Sequence, residues 1–341
     1  MKKKFVTSAQ VAERAGVSRS AVSRTFTPGA YVSPEVREKV LLAAEEMGYR
    51  INRLAKSLLT SQSSLVAIVA SNLSEPFIAA QIDALSAMLA DRELQTLLLN
   101  IGARRDMTAM MNLVLEYRVK AVIILSGAPP EKLVEQCLQS QQCTILINRE
   151  QASGIVDVIL TDDRAGGRLA ARHMIEGGCR RLAVVRGASD TPSQRRRAEG
   201  FMEAAAQEGL PVRHWLGGEG GYESGRTAAR ELLASSALDG VFCTTDRIGL
   251  GFLNTCSFDL GLDVPKDISI VGFDDIEEAG WPSHGLTTVR QPIVAMVDAV
   301  ATILSSDAFG ISGQTHIVPV ELVVRQTTRP RVVVSQSPSK A

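Results

Sequence analysis

Two sets of residues in this 341-residue chain have types and spacings that can do chemistry. The first is Arg19, Ser20 and Arg24, which follow Gly16-Val17-Ser18. Gly16 lets the chain turn and Ser18 can cap a helix, so these side chains project from its first turns while Ala21 and Val22 face inward. Helix, glycine turn, helix is an arrangement that puts a helix N-terminus into a major groove. There arginine is the bidentate partner of guanine, and serine a permissive donor and acceptor. A small helical bundle with a solvated basic face would carry the same residues. The second set is Asn72, Arg149, Asp162, Asp163, Asp246, Asp274 and Asp275, which stand at or just beyond the ends of apolar β-rich runs. Ligands of α/β sheets sit beyond the strands' carboxyl ends. Carboxylates there accept from hydroxyls, and an arginine donates in a fixed fork.

Patterns for catalysis are missing. The sequence holds no H-E-x-x-H and no G-x-S-x-G, and its four histidines (His173, His214, His284, His316) lack ligand spacing. No G-x-G-x-x-G or lysine-bearing P-loop occurs, and the glycines at 217–221 read as a flexible lead-in to a helix. Neither an enzyme, a cofactor nor a metal is expected. Acidic neighbours such as Asp274 and Asp275 are common at strand ends of binding proteins.

The elements that must position these residues fall into two textures. Thr7-Ser8-Ala9-Gln10 is a capping-box pattern, with Val11, Ala12 and Ala15 as the apolar face behind it. Ser33-Pro34 opens a third helix whose stripe is Val36, Val40, Leu41, Ala44 and Met47, ended by Gly48. A short candidate helix at 52–59 is marginal alone in water, where about 12–15 residues are needed. From Leu65 onward, apolar runs at 65–70, 119–125, 144–147, 156–160, 182–185, 240–243, 268–273 and 317–324 alternate with amphipathic helical stretches. That alternation predicts parallel sheets covered on both faces.

The length suits two or three units. A formal net charge of zero hides an asymmetry: residues 1–62 carry eleven Lys/Arg against five Glu, a net of +6, and the remainder is −6. A basic module on an acidic body suggests a polyanion-binding end. No apolar run approaches the roughly 18 residues of a membrane span, and no signal-peptide core follows the basic start. Five scattered cysteines (Cys137, Cys143, Cys179, Cys243, Cys256) fit reduced, buried thiols in a cytoplasmic protein.

The run Val11-Ala12-Glu13-Arg14-Ala15-Gly16-Val17-Ser18, continuing to Val22-Ser23-Arg24, resembles the opening signature of the LacI/GalR family, V-A-x-x-A-G-V-S-x-x-x-V-S-R. Val32 to Val40 and Met47-Gly48-Tyr49 resemble its third helix, and Asn52-Arg53-Leu54-Ala55 with Leu58 its hinge helix. The resemblance continues through Thr161-Asp162-Asp163, Arg197-Ala198-Glu199-Gly200-Phe201, Ile268 to Asp275 and Leu286 to Gln291.

The resemblance implies an all-α helix-turn-helix headpiece (1–51), a hinge helix and linker (52–64), a sensor (65–328) and a tail (329–341). The sensor would be α/β and periplasmic-binding-protein-like, two parallel-sheet subdomains with crossovers near 162, 291 and 320. Arg19, Ser20 and Arg24 become major-groove readers, and Asn52, Ala55 and Leu58 hinge contacts. Leu58 would be either a wedge in the minor groove or a packing residue on the linker. Arg197, Asp246 and Asp274 become polar ligands of an effector, with Asn72 and Arg149 next; Asp274 and Arg197 as an interlobe ion pair is the alternative. Trp281 and Phe77 are candidate apolar platforms for a sugar face, though Trp281 also suits core or dimer packing. Arg195 and Arg196 are either contacts to an anionic effector or a solvated helix start.

The expected partners are near-palindromic double-stranded operator DNA, a carbohydrate-type effector and a second copy of the chain. The tail lacks leucine heptads, which favours a dimer over the family's tetramer. Departures stand at Thr27 (usually Asn), Ile51 (often Pro) and Asn72 (often Asp). A periplasmic-type solute-binding protein is the competing reading of the sensor.

Overall fold

The computed structural model describes residues 6–27, 29–50, 63–101, 106–125, 130–149, 156–188, 191–306 and 313–330. The expected hinge contacts Asn52, Ala55 and Leu58 lie outside the described residues. The chain divides into two compact units, Met1–Ser63 and Ser64–Ala341.

The first unit holds α1 (Ser8–Ala15), α2 (Arg19–Thr25) and α3 (Pro34–Met47). The capping box forms: the Thr7 amide donates to Gln10 Oε1 at 2.9 Å, and the Gln10 amide to Thr7 Oγ1 at 3.4 Å. Gly16 takes φ +66°, a left-handed conformation that lets α1 end and the chain turn at once. Val11, Ala12, Val22, Val40, Ala43 and Ala44 form the buried core, with Phe26 and Tyr49 ring to ring at 5.7 Å. Leu41, expected in that core, is 46 % exposed; Ala43 takes the inward position, because α3 presents its small residues where α1 crosses it closely.

In the second unit the first sheet is made by β1 (Leu65–Ala70), β2 (Gln95–Asn100), β3 (Ala121–Ile124), β4 (Cys143–Ile147), β5 (Asp157–Thr161) and β11 (Thr315–Val318). Helices α4 (Pro76–Asp91), α5 (Met107–Glu116), α6 (Glu131–Gln139) and α12 (Ile293–Ser305) belong with it. The second sheet comprises β6 (Leu182–Gly187), β7 (Val212–Gly217), β8 (Gly240–Cys243), β9 (Ser269–Asp274), β10 (Thr287–Arg290) and β12 (Glu321–Val323). With it go α7 (Asp163–Glu176), α8 (Pro192–Gln207), α9 (Tyr222–Ser235), α10 (Asp246–Asn254), continued by a π-turn over Thr255–Asp259, and the short α11 (Glu277–Gly280).

The strand orders are β11-β5-β4-β3-β1-β2 and β12-β10-β9-β8-β6-β7. Every pairing is parallel except β12 on β10. The chain passes between the sheets after Thr161, between Arg290 and Ile293, and between Val318 and Glu321. The stretch 317–324, expected as one strand, is therefore two in different sheets, and Pro319, which has no amide proton for a ladder, falls at the break. β2 and β7 were not expected as strands. Both are sheet edges, so their sequences carry the mixed polarity of a half-solvated position instead of a continuous apolar run.

Apolar side chains fill both faces of each sheet. Helices α7 and α8 cross at near contact: a Cβ on Gly167 would stand 2.0 Å from the Arg197 carbonyl oxygen. The five cysteines are free and buried, and burial pushes the Cys137 thiol up to about 11. No helix among the described residues is long and apolar enough to cross a membrane.

Candidate functional site

In the headpiece, Ser18 caps α2 by accepting from the Ala21 amide at 3.2 Å. Val22 is fully buried, which turns Arg19, Ser20 and Arg24 outward, and all three are exposed. Arg24 Nε donates to the Ser20 carbonyl at 3.4 Å, and the Ser18 and Ser20 hydroxyls lie 2.9 Å apart. Two cations and a hydroxyl thus share one solvent-facing stripe on a short, rigidly capped helix.

In the sensor, the strand-end polar residues converge where the chain crosses between sheets. Arg197 on α8 is 4 % exposed and lies under the Phe273 ring, its guanidinium carbon 3.7 Å from the centroid. Its Nε donates to Asp163 Oδ1 at 2.8 Å, and its Nη1 to the Thr244 carbonyl at 2.9 Å and to Asp274 Oδ1 at 3.0 Å. Burial works against the cation, but Asp163 and Asp274 outweigh it and hold the guanidinium more firmly protonated than usual. Asp163 Oδ2 also accepts from Arg196 at 3.1 Å.

The network continues into the other lobe. Gln291, on the second crossover, donates through Nε2 to Asp274 Oδ1 at 2.7 Å. Its Oε1 accepts from Thr161 Oγ1 at 2.8 Å and from Asn148 Nδ2 at 3.3 Å. Arg197, Asp274, Gln291, Thr161 and Asn148 therefore form one continuous chain of hydrogen bonds from the second lobe to the first. Among the described residues nothing donates to Asp274 Oδ2 or accepts from Arg197 Nη2, and neither atom is a buried orphan. Asp274 thus keeps one oxygen, and Arg197 one nitrogen, outside the network's hydrogen bonds.

Asp246 departs from its expected place. It is fully buried, with Oδ1 accepting from the Thr288 hydroxyl and Oδ2 from the Ile276 amide at 2.9 Å. Both oxygens are committed to the loop after β9 and to β10, so this carboxylate braces the backbone that presents Asp274. Burial and the neighbouring Asp274 raise its carboxyl to about 7, and burial likewise raises Asp274, to about 6. Asp274 and Asp275 take φ +124° and +60° at the strand end, and Asp275 bonds Arg290 and Arg325.

The remaining expected residues make no hydrogen bond to this network among the described residues and take separate places. Asn72, left-handed at φ +52°, lines a cavity of about 1110 Å³ that extends between the lobes. Tyr222, Arg247, Glu278 and His284 line its far side, and the Arg247 Nε and Glu278 Oε2 atoms facing no partner are buried. Phe77 packs against the cores of both lobes. Trp281 is 46 % exposed and stacks on His284, ring centroids 6.0 Å apart, so it belongs to the surface beside the cavity and not to a core. Arg149 follows Asn148 at the end of β4, with its Nε buried and unpaired. Sequence reading missed Gln291, Thr288 and Asn148 as members of the site. Asn148 was signalled by its position next to Arg149 at a strand end, and Thr288 and Gln291 by lying in the Leu286 to Gln291 run that resembles the family.

A family profile described as "Bacterial regulatory proteins, lacI family" matches residues 9–52, and one described as "Periplasmic binding protein-like domain" matches residues 171–328. The transcriptional regulator CelR of Thermobifida fusca is 32% identical over 327 residues, which cover 92% of this chain and 94% of that protein. The chain belongs to the LacI family of bacterial regulatory proteins. The regulator GalS of Salmonella typhimurium is 29% identical over 90% of this LacI-family chain and 91% of its own. The solved structure of a CelR–cellobiose complex matches with a TM-score of 0.68 and 29% identity, over 94% of this chain and 99% of that one. The lac repressor dimer bound to operator and the anti-inducer ONPF shares the fold at a TM-score of 0.85 and 24% identity, over 96% of this chain and all of that one. The chain is a DNA-binding transcriptional regulator, not an enzyme.

Proposed function

We propose that the chain acts in the cytoplasm as a homodimeric repressor of a near-palindromic operator, and that a carbohydrate-type effector bound between the sensor lobes sets its operator affinity. The effector class is a sugar, a sugar acid or a sugar phosphate. Arg19, Ser20 and Arg24 read the major groove, and Asn52, Ala55 and Leu58 serve the hinge. The observation that carries the DNA half is the stripe on α2: Val22 is buried and all three polar side chains are solvent-facing. Two-fold symmetry in the protein then matches two-fold symmetry in the site.

The effector half rests on the crossover network. Asp274 Oδ2 and Arg197 Nη2 offer one acceptor and one donor, which suits a polyhydroxylated ligand. Asp246 holds that pair in place, Asn72 and Arg149 add polar contacts from the first lobe, and Phe77 and Trp281 add apolar surface. GalS and CelR, both similar over nine-tenths of this chain, are transcriptional regulators, and CelR has been solved with cellobiose.

Selection of operator fragments from random double-stranded DNA, followed by mobility shifts with Arg19→Ala, tests the first half. The variant should lose preference for the selected site by roughly tenfold or more, about 1–3 kcal/mol for a bidentate base contact, and keep weak salt-sensitive binding. Unchanged selectivity would remove Arg19 from the reading surface.

A further inference from the structure

Most arginines at the crossover are paired to carboxylates, and one is not. Asp163 gives one oxygen to Arg197 and the other to Arg196, and Asp274 Oδ1 is taken by Arg197 and Gln291. Asp162 Oδ1 caps α7 by accepting from the Ala165 amide at 3.0 Å, and Asp275 is held by Arg290 and Arg325. Arg149 is left with no ion pair and no hydrogen-bond acceptor among the described residues, and its Nε is buried. Its backbone position is fixed by the preceding residue: Asn148 donates to Gln291 and accepts from the Thr161 amide at 2.8 Å. Arg149 thus follows directly on a member of the network that holds Asp274 and Arg197, and its guanidinium lies near enough to Arg196 to feel that charge.

A guanidinium cannot shed its proton in a protein, so burial without an acceptor cannot be relieved by titration. Burial and the nearby Arg196 both work against its charge. A hydroxyl would give Arg149 an acceptor but no countercharge. A carboxylate or phosphate gives both, and its planar or trigonal oxygens match the fork of an arginine. We propose that the effector carries an anionic group, a carboxylate or a phosphate ester, and that Arg149 receives it while Asp274 and Arg197 bind the hydroxylated remainder. The proposal rests on the reading that the effector lies between the lobes, and it narrows the effector to an acidic carbohydrate.

The test uses the full chain at constant ionic strength. Thermal unfolding is followed with inorganic phosphate against chloride, then with a panel of aldoses, their uronic and aldonic acids, and their phosphates. Wild type, Arg149→Gln and Arg149→Lys are compared, and operator mobility shifts verify that each variant is folded. Wild type should be stabilised by phosphate beyond chloride and by an acid or phosphate derivative over its parent aldose. Arg149→Gln should lose both effects and bind the anionic ligand at least roughly tenfold more weakly, with Arg149→Lys in between. Acids alone or phosphates alone would identify the source of the charge.

A neutral aldose that binds as well as its acid, or an Arg149→Gln variant that binds as wild type does, overturns the anionic group and leaves the carbohydrate reading standing. If no carbohydrate binds but phosphate stabilises through Arg149, the carbohydrate reading fails and the anion site stands. A phosphate effect identical in wild type and Arg149→Gln, with no acid bound, overturns the site itself.

Discussion

Asp246 is a carboxyl whose protonation the fold controls. It is fully buried beside Asp274, and both effects raise its carboxyl from 3.8 to about 7. Between those values the folded chain holds a proton that the unfolded chain has released. Its contribution to stability is therefore present at low pH and is lost as pH rises through about 7. His214, lowered by burial and by Arg186, acts in the opposite sense, so the contribution must be read as a difference between two proteins. Asp246→Asn keeps the shape and removes the titration. Wild type should lose midpoint stability relative to Asp246→Asn as pH is raised from about 5 to about 8, measured by urea unfolding; parallel curves would count against a protonated Asp246. Arg197 makes a complementary prediction. Arg197→Met removes the only cation bonded to Asp274 among the described residues and one of the two bonded to Asp163, and should cost about 3–5 kcal/mol in the same assay. Asp246 and Asp274 were legible in the sequence as charged residues beside apolar runs, and Arg197 only through the family resemblance. Their division of labour was not, because Thr288, Gln291 and Asn148 are polar, neutral and far away in the chain, and only the fold brings them to the carboxylates.

Among the elements, α7 and α8 position the centre, and glycine permits their approach. Gly167 meets the Arg197 backbone and Gly200 meets the Arg164 backbone, both at distances no Cβ could occupy. The helix carrying Asp163 and the helix carrying Arg197 are thereby brought close enough for their side chains to bond at 2.8 Å. Gly167→Ala should force the pair apart and destabilise the sensor by about 1–3 kcal/mol, the cost of overpacking. Calorimetry would show a lowered sensor transition, and an unchanged one would mean that the helices can separate freely. Alternating apolar runs and helical stretches made most interior strands and most helices legible beforehand. The edges β2 and β7 were missed because solvent on one side removes the continuous apolar signature. The interior strand β10 carries no apolar signature, since Thr287 and Thr288 are buried through hydrogen bonds and not through apolarity. In α3 the heptad-like spacing selected Leu41, whereas close helix crossing favoured alanines and left Leu41 and Leu42 exposed.

At the scale of the whole sensor, the two lobes are joined by three crossings of the chain, by Phe77 against both cores, and by the side chain of Gln291. Gln291 is 4 % exposed and is the only link in the described network that bonds both lobes: Thr161 and Asn148 on one side, Asp274 on the other. A glutamine suits this place because its amide both donates and accepts without bringing a charge into a site already rich in charge. Gln291→Leu keeps much of the volume while leaving the Thr161 hydroxyl without its acceptor and Asp274 with one donor fewer. The cost should be about 1–3 kcal/mol for each buried group left unpaired. Because the loss falls on the junction and not within either core, it should also loosen the coupling between lobes. In the wild type the sensor should unfold as one cooperative unit, with calorimetric and van't Hoff enthalpies equal. In Gln291→Leu the van't Hoff enthalpy should fall below the calorimetric one as the lobes begin to melt separately. A lowered midpoint with the enthalpies still equal would mean that Phe77 and the crossing backbone alone hold the lobes together, and that the hydrogen-bond chain serves only to place Asp274.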